Sequence, residues 1–372
     1  MKLRYKILNS ILVLLSVAIV ALAIVLSHNK ECTPSPTLAA DTERFKAIIY
    51  RCYGSTDVLR LEDVAKPVPA DNDVLIRVHA AAVNPLDWHY MRGSPYLMRL
   101  MSGLGAPADE TMGVDFSGTV EAVGSKVSRF EPGDTVFGGR GGAFGEYIAM
   151  PEDRAVVLKP ENVSFEEAAA VPIAAITALQ ALRDKGQLQP GQSVLINGAS
   201  GGVGTYAVQI AKALGAEVAG VCSTRNVEMV RSIGADRVFD YKKEDYTESG
   251  QSYDLIVDMV GNHSLLANRG VLKPGGIYVM VGGPKGNWIA PLVKPIGAMM
   301  ISPFVDETFE TLFAQITQDD MTYLAELMAA GKVRSVIDRR FSLSEVPEAI
   351  AYSESGRARG KIIVNVMAGT DD

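Results

Sequence analysis

Two short stretches carry residue types and spacings that could do chemistry. The first puts Gly198, Gly201, Gly202 and Gly204 within seven residues. Such a turn offers bare backbone N–H groups to a pyrophosphate, and a helix following it adds the positive end of its dipole. The context is the one this motif requires. An apolar run over 193–197 with Val194 and Ile196 suits a buried strand. Ala207, Val208, Ile210, Ala211 and Leu214 then recur at helical spacing, Gly215 reads as the stop, and 218–222 is a second apolar strand. The candidate phosphate contacts are Ala199, Ser200, Gly201, Gly202, Val203 and Gly204, with alanine at the first glycine position. The second stretch, Asn84 to Tyr90, groups an amide, a carboxylate (Asp87), Trp88, His89 and a phenol. It also reads as a helix start, with Asn84 capping the turn before Pro85 and Asp87 capping the helix.

The end of the second strand selects among nucleotides. An Asp or Glu there would accept hydrogen bonds from ribose hydroxyls. This chain has Ser223, Thr224, Arg225 and Asn226 instead, two hydroxyls and a cation without an acid. A guanidinium can bind a 2′-phosphate through charge-assisted, bidentate bonds, so NADP(H) is the expected cofactor.

Other classes are disfavoured by composition. At 372 residues the chain is long enough for two compact domains. A net charge of −7 without a long basic run gives no nucleic-acid footprint. Cys32, Cys52 and Cys222 are far apart, so neither a disulfide framework nor a CxxC metal pair is expected. His28, His79, His89 and His263 show no helical metal spacing.

From its start, the chain shows a basic flank over 1–6 and an uncharged apolar run over 7–26, long enough to span a bilayer as a helix. The bulky residues that end the run make a poor cleavage site, so residues 1–30 are expected to be an uncleaved membrane anchor, and 31–43 a linker. The basic flank favours an external globular part, whereas a reduced nicotinamide cofactor is expected inside the cell, and the side of the membrane stays open. Short β-prone runs punctuated by glycine and proline occupy 45–159. Residues 166–181 turn helical with a boundary at Pro172. Beyond the glycine turn the βα rhythm of a parallel sheet continues, followed by two helical patterns over 306–331 and a last strand at 361–366.

The runs GVDFSGTVEAVGSKVSRFEPGDTVFG (113–138), INGASGGVG (196–204) and ARGKIIVNV (358–366) resemble the medium-chain dehydrogenase/reductase superfamily. NPLDWHYMRG (84–93) resembles its zinc-independent quinone oxidoreductase and enoyl reductase-like branch. The resemblance covers about residues 44–367. It implies an α/β fold with a Rossmann doubly wound parallel sheet (166–305) and a GroES-like β-rich catalytic domain (44–165, returning over 306–372). Many members pair as dimers through the sheet edge.

By the same resemblance Asn84, Asp87, Tyr90 and Thr177 border the nicotinamide and substrate, Tyr241 lies near the adenosine 2′-phosphate, and Lys361 lies near the cofactor. Asp115 is expected to bond backbone or cofactor-side groups rather than act as a base. Gly261, Gly282 and Gly283 fall at the strand ends where open α/β sheets bind ligands. Zinc-dependent relatives place a cysteine near 84–87 and Gly-His-Glu where this chain has Gly113, Val114 and Asp115, so no zinc is expected. Without a Lewis acid, reduction of a quinone or an activated C=C is easier than alcohol oxidation. The expected activity is hydride transfer from NADPH to quinones or α,β-unsaturated carbonyls. The alternative is a non-catalytic, NADPH-binding, membrane-tethered regulatory or structural protein.

Overall fold

A computed structural model describes residues 2–283, 286–288 and 290–367. The chain opens with α1 (Lys2–Ser27) and then builds a β-rich unit. Its elements are β1 (Arg44–Ile49), β2 (Arg60–Ala65), β3 (Asp73–Val83), α2 (Pro85–Arg92), α3 (Arg99–Ser102), β4 (Asp115–Val123), β5 (Thr135–Gly139), β6 (Tyr147–Pro151) and β7 (Val156–Leu158). Two helices, α4 (Phe165–Ala169) and α5 (Pro172–Gln180), lead to β8 (Ser193–Asn197) and α6 (Gly202–Ala213). Pro172 at the first position of α5 is tolerated because that N–H has no helical partner to lose.

The alternation continues through β9 (Glu217–Cys222), α7 (Val227–Ser232), β10 (Arg237–Asp240), β11 (Tyr253–Asp258), α8 (Leu265–Arg269), β12 (Leu272–Met280), α9 (Ala290–Ile301) and β13 (Thr308–Thr311). The chain closes with α10 (Gln318–Ala329), β14 (Ile337–Ser342), α11 (Val346–Glu354) and β15 (Lys361–Asn365).

Two sheets position the site. Six parallel strands run in the order β10-β9-β8-β11-β12-β13, the doubly wound arrangement whose strand order reverses between β8 and β11. Strands buried on both faces should read as continuous apolar runs, and β8 with Val194, Leu195 and Ile196 does. The second sheet, β14-β15-β3-β4-β5-β7 with β6 also on β3, joins strands from the first and last parts of the chain. Ile362 to Asn365 pair antiparallel with Ala80 to Val83, which carries Lys361 to the end of β3. The Rossmann plus GroES-like architecture is thus present.

Three expectations need correction. The region 306–331 holds one helix, not two: its first part is β13, which extends the parallel sheet past residue 305. Four residues are too few to show a strand period.

The cysteines do pair, with Cys32 and Cys52 forming a disulfide at a Cα separation of 4.8 Å. The fold brings together residues whose spacing carries no pattern.

The expected membrane span over 7–26 is not borne out: among the described residues no helix is long and apolar enough to cross a membrane. Leu26, near the end of α1, is buried against the protein at 1% exposure.

Candidate functional site

The glycine turn lies where β8 ends and α6 begins, at the point of strand reversal, where open α/β sheets bind nucleotides. Gly198 adopts φ +94°, which favours glycine, and its carbonyl accepts the N–H of Gly201 at 3.0 Å. A Cβ on Gly204 would fall 2.1 Å from that carbonyl oxygen, so glycine is required there for close packing of helix on strand. Gly201, at the N-terminal cap of α6, offers no side-chain cap, which leaves the first N–H groups of a twelve-residue helix for an anion. Ala199 is buried; Ser200 and Val203 are half-buried at the turn.

Across the turn, Ser223 and Arg225 sit just past β9. Arg225 is exposed, and its Nη2 donates to the Arg357 carbonyl at 2.8 Å. Tyr241, also exposed, donates its backbone N–H to the Cys222 carbonyl at 3.1 Å, which holds it beside the same segment. Asn226 was not singled out as a contact in the sequence, yet it donates to Ser200 Oγ at 2.9 Å. Its Oδ1 is buried without a partner among the described residues. The bare helix N-terminus and the cation fit a phosphate, and the orphan acceptor, which would otherwise cost about 1–3 kcal/mol, fits a hydroxyl donor such as a ribose hydroxyl of the same nucleotide.

Gly261 and Gly282 lie past β11 and β12. Asp258 organises this edge: its Oδ1 accepts from Asn197 Nδ2 and the N–H groups of Val260 and Gly261 at 2.8–3.0 Å. Gly261 sits at φ +72°, and a Cβ on Gly282 would meet the Met259 carbonyl oxygen at 2.1 Å.

Beneath the turn lies a buried polar cluster. Gly360 donates its N–H to the Ser200 carbonyl at 2.9 Å, so β15 starts directly against the glycine loop. The Lys361 stem follows, with Cδ 3.3 Å from where a Cβ on Gly202 would sit. Its ammonium, on a residue only 2% exposed, donates to Asn84 Oδ1 at 2.6 Å and to Asp115 Oδ2 at 3.2 Å. Asn84 Nδ2 donates to Asp115 Oδ2 at 2.9 Å and to the Ala82 carbonyl at 3.3 Å. The N–H of Ile173, at the start of α5, donates to Asp115 Oδ1 at 3.0 Å. Burial pushes the Asp115 carboxyl upward, and Lys361, Asn84 and the Ile173 N–H oppose the rise.

Asn84 also caps α2, where its backbone N–H donates to Asp87 Oδ2 at 2.7 Å. Asp87 Oδ1 is buried without a hydrogen-bond partner among the described residues, and burial pushes the Asp87 carboxyl up to about 7. Tyr90, on the same helix, is half-buried. Thr177 turns its hydroxyl back to the Ile173 carbonyl at 2.6 Å and so bonds within its own helix. The sequence placed Lys361 near the cofactor but did not join it to Asn84 and Asp115, residues separated from it by 277 and 246 positions.

A cavity of about 350 Å³ lined by Gly186, Gln187, Asp254 and Gly275 opens at the opposite, amino-terminal ends of the parallel strands. Ligands of such sheets bind at the carboxyl ends, so it plays no part in this site.

A doubly wound sheet with a glycine phosphate turn, joined to a β-rich unit that supplies a buried polar cluster, defines a nicotinamide-dependent oxidoreductase. Residues 70–161 match the family described as an alcohol dehydrogenase GroES-like domain, and residues 233–364 match a zinc-binding dehydrogenase family. The chain is 34% identical over 335 residues to a 2-methylene-furan-3-one reductase of Solanum lycopersicum, covering 86% of this chain and 79% of that protein. It is 35% identical over 338 residues to a chloroplastic quinone oxidoreductase of Triphysaria versicolor, covering 86% and 98%. The solved quinone oxidoreductase of Coxiella burnetii superposes with a TM-score of 0.77 at 31% identity, covering 87% of this chain and 100% of that one. This chain belongs to the medium-chain dehydrogenase/reductase superfamily, among its quinone and enone oxidoreductases.

Zinc, named in one of those family descriptions, does not fit the residues present. Val114 has no donor atom, and the Asp115 carboxylate is already engaged by Lys361, Asn84 and Ile173. Among the described residues no group of three or more His, Cys, Asp or Glu side chains could hold a metal ion.

Proposed function

We propose that the protein is an NADPH-dependent, zinc-independent reductase that transfers hydride to quinones or α,β-unsaturated carbonyl compounds. The observation that carries this reading is the Lys361–Asn84–Asp115 cluster set against Gly202 of the phosphate turn. Bound NADPH supplies the hydride, and negative charge then develops on the acceptor oxygen.

An ammonium has three N–H donors, and two of those of Lys361 are directed at Asn84 and Asp115. The third is left for an acceptor oxygen, whose developing charge it stabilises. Asn84 acts through Lys361: its amide hydrogens are taken by Asp115 and Ala82, and its Oδ1 holds the ammonium in place. Asp87 and Tyr90 lie on the helix that Asn84 caps and supply exchangeable protons near the same point. The phosphates fall to Ala199, Ser200, Gly201, Gly202, Val203 and Gly204. Ser223, Arg225 and Tyr241 take the 2′-phosphate, and Gly261 and Gly282 border the nicotinamide. Thr177 walls the pocket.

The similarity to a 2-methylene-furan-3-one reductase and to a quinone oxidoreductase supports this class of acceptor. The test is NADPH oxidation by chelator-treated protein with a benzoquinone, a long-chain enone, a simple aldehyde, and a secondary alcohol with NADP⁺. Turnover of quinone or enone, unchanged by chelator, is expected. Tight NADPH binding without turnover of any acceptor would move the reading to a non-catalytic nucleotide sensor.

A further inference from the structure

The sequence presented the N-terminal segment as a tether joined by a loose linker, and the structure instead seats its end on the protein. Arg99 is the centre of that seat. It is 1% exposed, and its guanidinium lies 4.5 Å from the Tyr53 ring centre and 4.6 Å from that of Tyr96. Nη1 donates to the carbonyls of Leu26 at 2.8 Å and His28 at 3.0 Å, which caps the C-terminal end of α1. Nε donates to the Gly93 carbonyl at 2.7 Å, and Nη2 to the Arg92 carbonyl at 3.3 Å, which ties the same side chain to the end of α2.

A second set of bonds fastens the chain just beyond. The Lys30 N–H donates to the Gly105 carbonyl at 2.8 Å, and Cys32 is joined to Cys52. Cys52 is next to Tyr53, whose hydroxyl donates to the Gly103 carbonyl at 2.8 Å.

What the segment grips is the stretch beside α2. The stretch 93–105 follows directly on α2, which carries Asp87 and Tyr90. Its other side reaches the loop beyond β12, which belongs to the parallel-sheet half of the molecule. The Tyr96 N–H donates to the Asn287 carbonyl at 2.8 Å, Ser94 Oγ donates to Asn287 Oδ1 at 2.7 Å, and the rings of Tyr96 and Trp288 meet edge to face at 4.7 Å. One short stretch therefore holds the N-terminal segment on one side and the loop beyond β12 on the other.

We propose that Arg99 and the Cys32–Cys52 disulfide form a clamp by which the chain's own N-terminal segment orders the 93–105 stretch and its bridge to Asn287. The clamp thereby sets which acceptors enter. Arg99 is a positioning residue: it acts through the backbone carbonyls and tyrosine rings it holds. The effect on acceptors rests on the reductase reading above, whereas the clamp itself does not. Breaking it is a defined step: an added dithiol delivers two electrons and two protons, the S–S bond becomes two thiols, and the dithiol becomes its own disulfide. Arg99 then holds the segment without the covalent lock.

The test uses the full chain, oxidised and dithiol-reduced, with Cys32→Ser as the reductant-free version and Arg99→Lys as the version that loses the planar fork but keeps the charge. Hydrogen–deuterium exchange reads the Lys30 amide, bonded to Gly105, and the Tyr96 amide, bonded across to Asn287. Both are expected to exchange about tenfold faster on reduction and in Cys32→Ser. With a bulky enone as acceptor, KM is expected to rise about fivefold while kcat and NADPH affinity hold, and a small benzoquinone to change less than twofold.

Faster exchange at Lys30 with Tyr96 unchanged would overturn the proposal, because the clamp would then stop short of the bridge. Equal changes in KM for both acceptors would overturn the selectivity. If no acceptor turns over, the reductase reading fails while the exchange data still decide the clamp. Cys32 is exposed, so its serine variant keeps the test usable if Arg99→Lys does not fold.

Discussion

At the glycine turn the working groups belong to the backbone, while at the cluster beneath it they belong to side chains. The two meet where the Lys361 stem lies against Gly202, yet they respond to substitution by different rules. The turn tolerates much in side-chain chemistry and nothing in volume at Gly204, because its function is close approach. The cluster depends on charge. Lys361 and Asp115 are both almost fully buried, and each is tolerable only because the other is present. One end of the site is specified by the absence of atoms and the other by their pairing.

The sharpest way to break this comparison is Lys361→Met. It leaves Asp115 buried without its cation, and losing one partner of such a pair costs about 3–5 kcal/mol. Urea unfolding should show that loss, and pairing the change with Asp115→Asn should restore much of it. An unchanged midpoint in the single variant would mean that the cluster is not held by charge.

Gly204→Ala tests the other rule. Its Cβ would lie 2.1 Å from the Gly198 carbonyl oxygen and 2.7 Å from the Ala199 Cα, so backbone must move, at about 1–3 kcal/mol and with loss of NADPH affinity. Gly202→Ala meets the flexible Lys361 stem at 3.3 Å and the Gly360 carbonyl oxygen at an ordinary 3.6 Å, and should cost less. Calorimetric unfolding with and without NADPH ranks the two, and equal effects would remove the claim that volume at one position decides.

Arg225→Ala probes the charged side chain just past β9. Loss of a phosphate contact by an exposed guanidinium should cost about 1.5 kcal/mol of NADPH affinity, the low end for a charged hydrogen bond. NADH affinity should stay nearly unchanged. Titration of both cofactors checks this, and equal weakening would dismiss the 2′-phosphate role.

The same contrast explains what could be read before the fold was known. The turn is local: strand, glycines and helix lie within some twenty residues, and the backbone chemistry follows from the order of residue types. The helix start at Asn84 and Pro85 was readable for the same reason. The joining of Lys361 to Asn84 and Asp115 was not, because it is made by antiparallel pairing of β15 with β3, across 277 positions in the case of Asn84. The Cys32–Cys52 bond was missed because two isolated cysteines carry no spacing signal. β13 was hidden by its length, since four residues cannot show an alternation. No motif or spacing marks Arg99 in the sequence, and only its packing between two tyrosines reveals what it holds.

The finest distinction lies inside the side-chain end, between two buried carboxyls on either side of Asn84. Asp115 has an ammonium beside it; Asp87 has one backbone N–H on Oδ2 and an Oδ1 without a hydrogen-bond partner among the described residues. Burial, with the nearby Asp115 charge adding to it, lifts the Asp87 carboxyl to about 7, against the opposing Asn84 N–H and Lys361. In the unfolded chain it titrates near the ordinary value of about 4. Between about pH 4 and about pH 7 the folded protein therefore holds a proton that the unfolded chain has released, and stability falls as pH rises through that window, levelling above it. One group contributes at most about 1.4 kcal/mol per pH unit to that slope. Asp87→Asn removes the titration while keeping an acceptor for the Asn84 N–H, so its stability should decline less over the window and exceed that of the parent at about pH 8. Urea midpoints measured across the range decide it. Parallel profiles would mean that Asp87 is ionised in the folded protein, and the proton would then have to be placed elsewhere in the cluster.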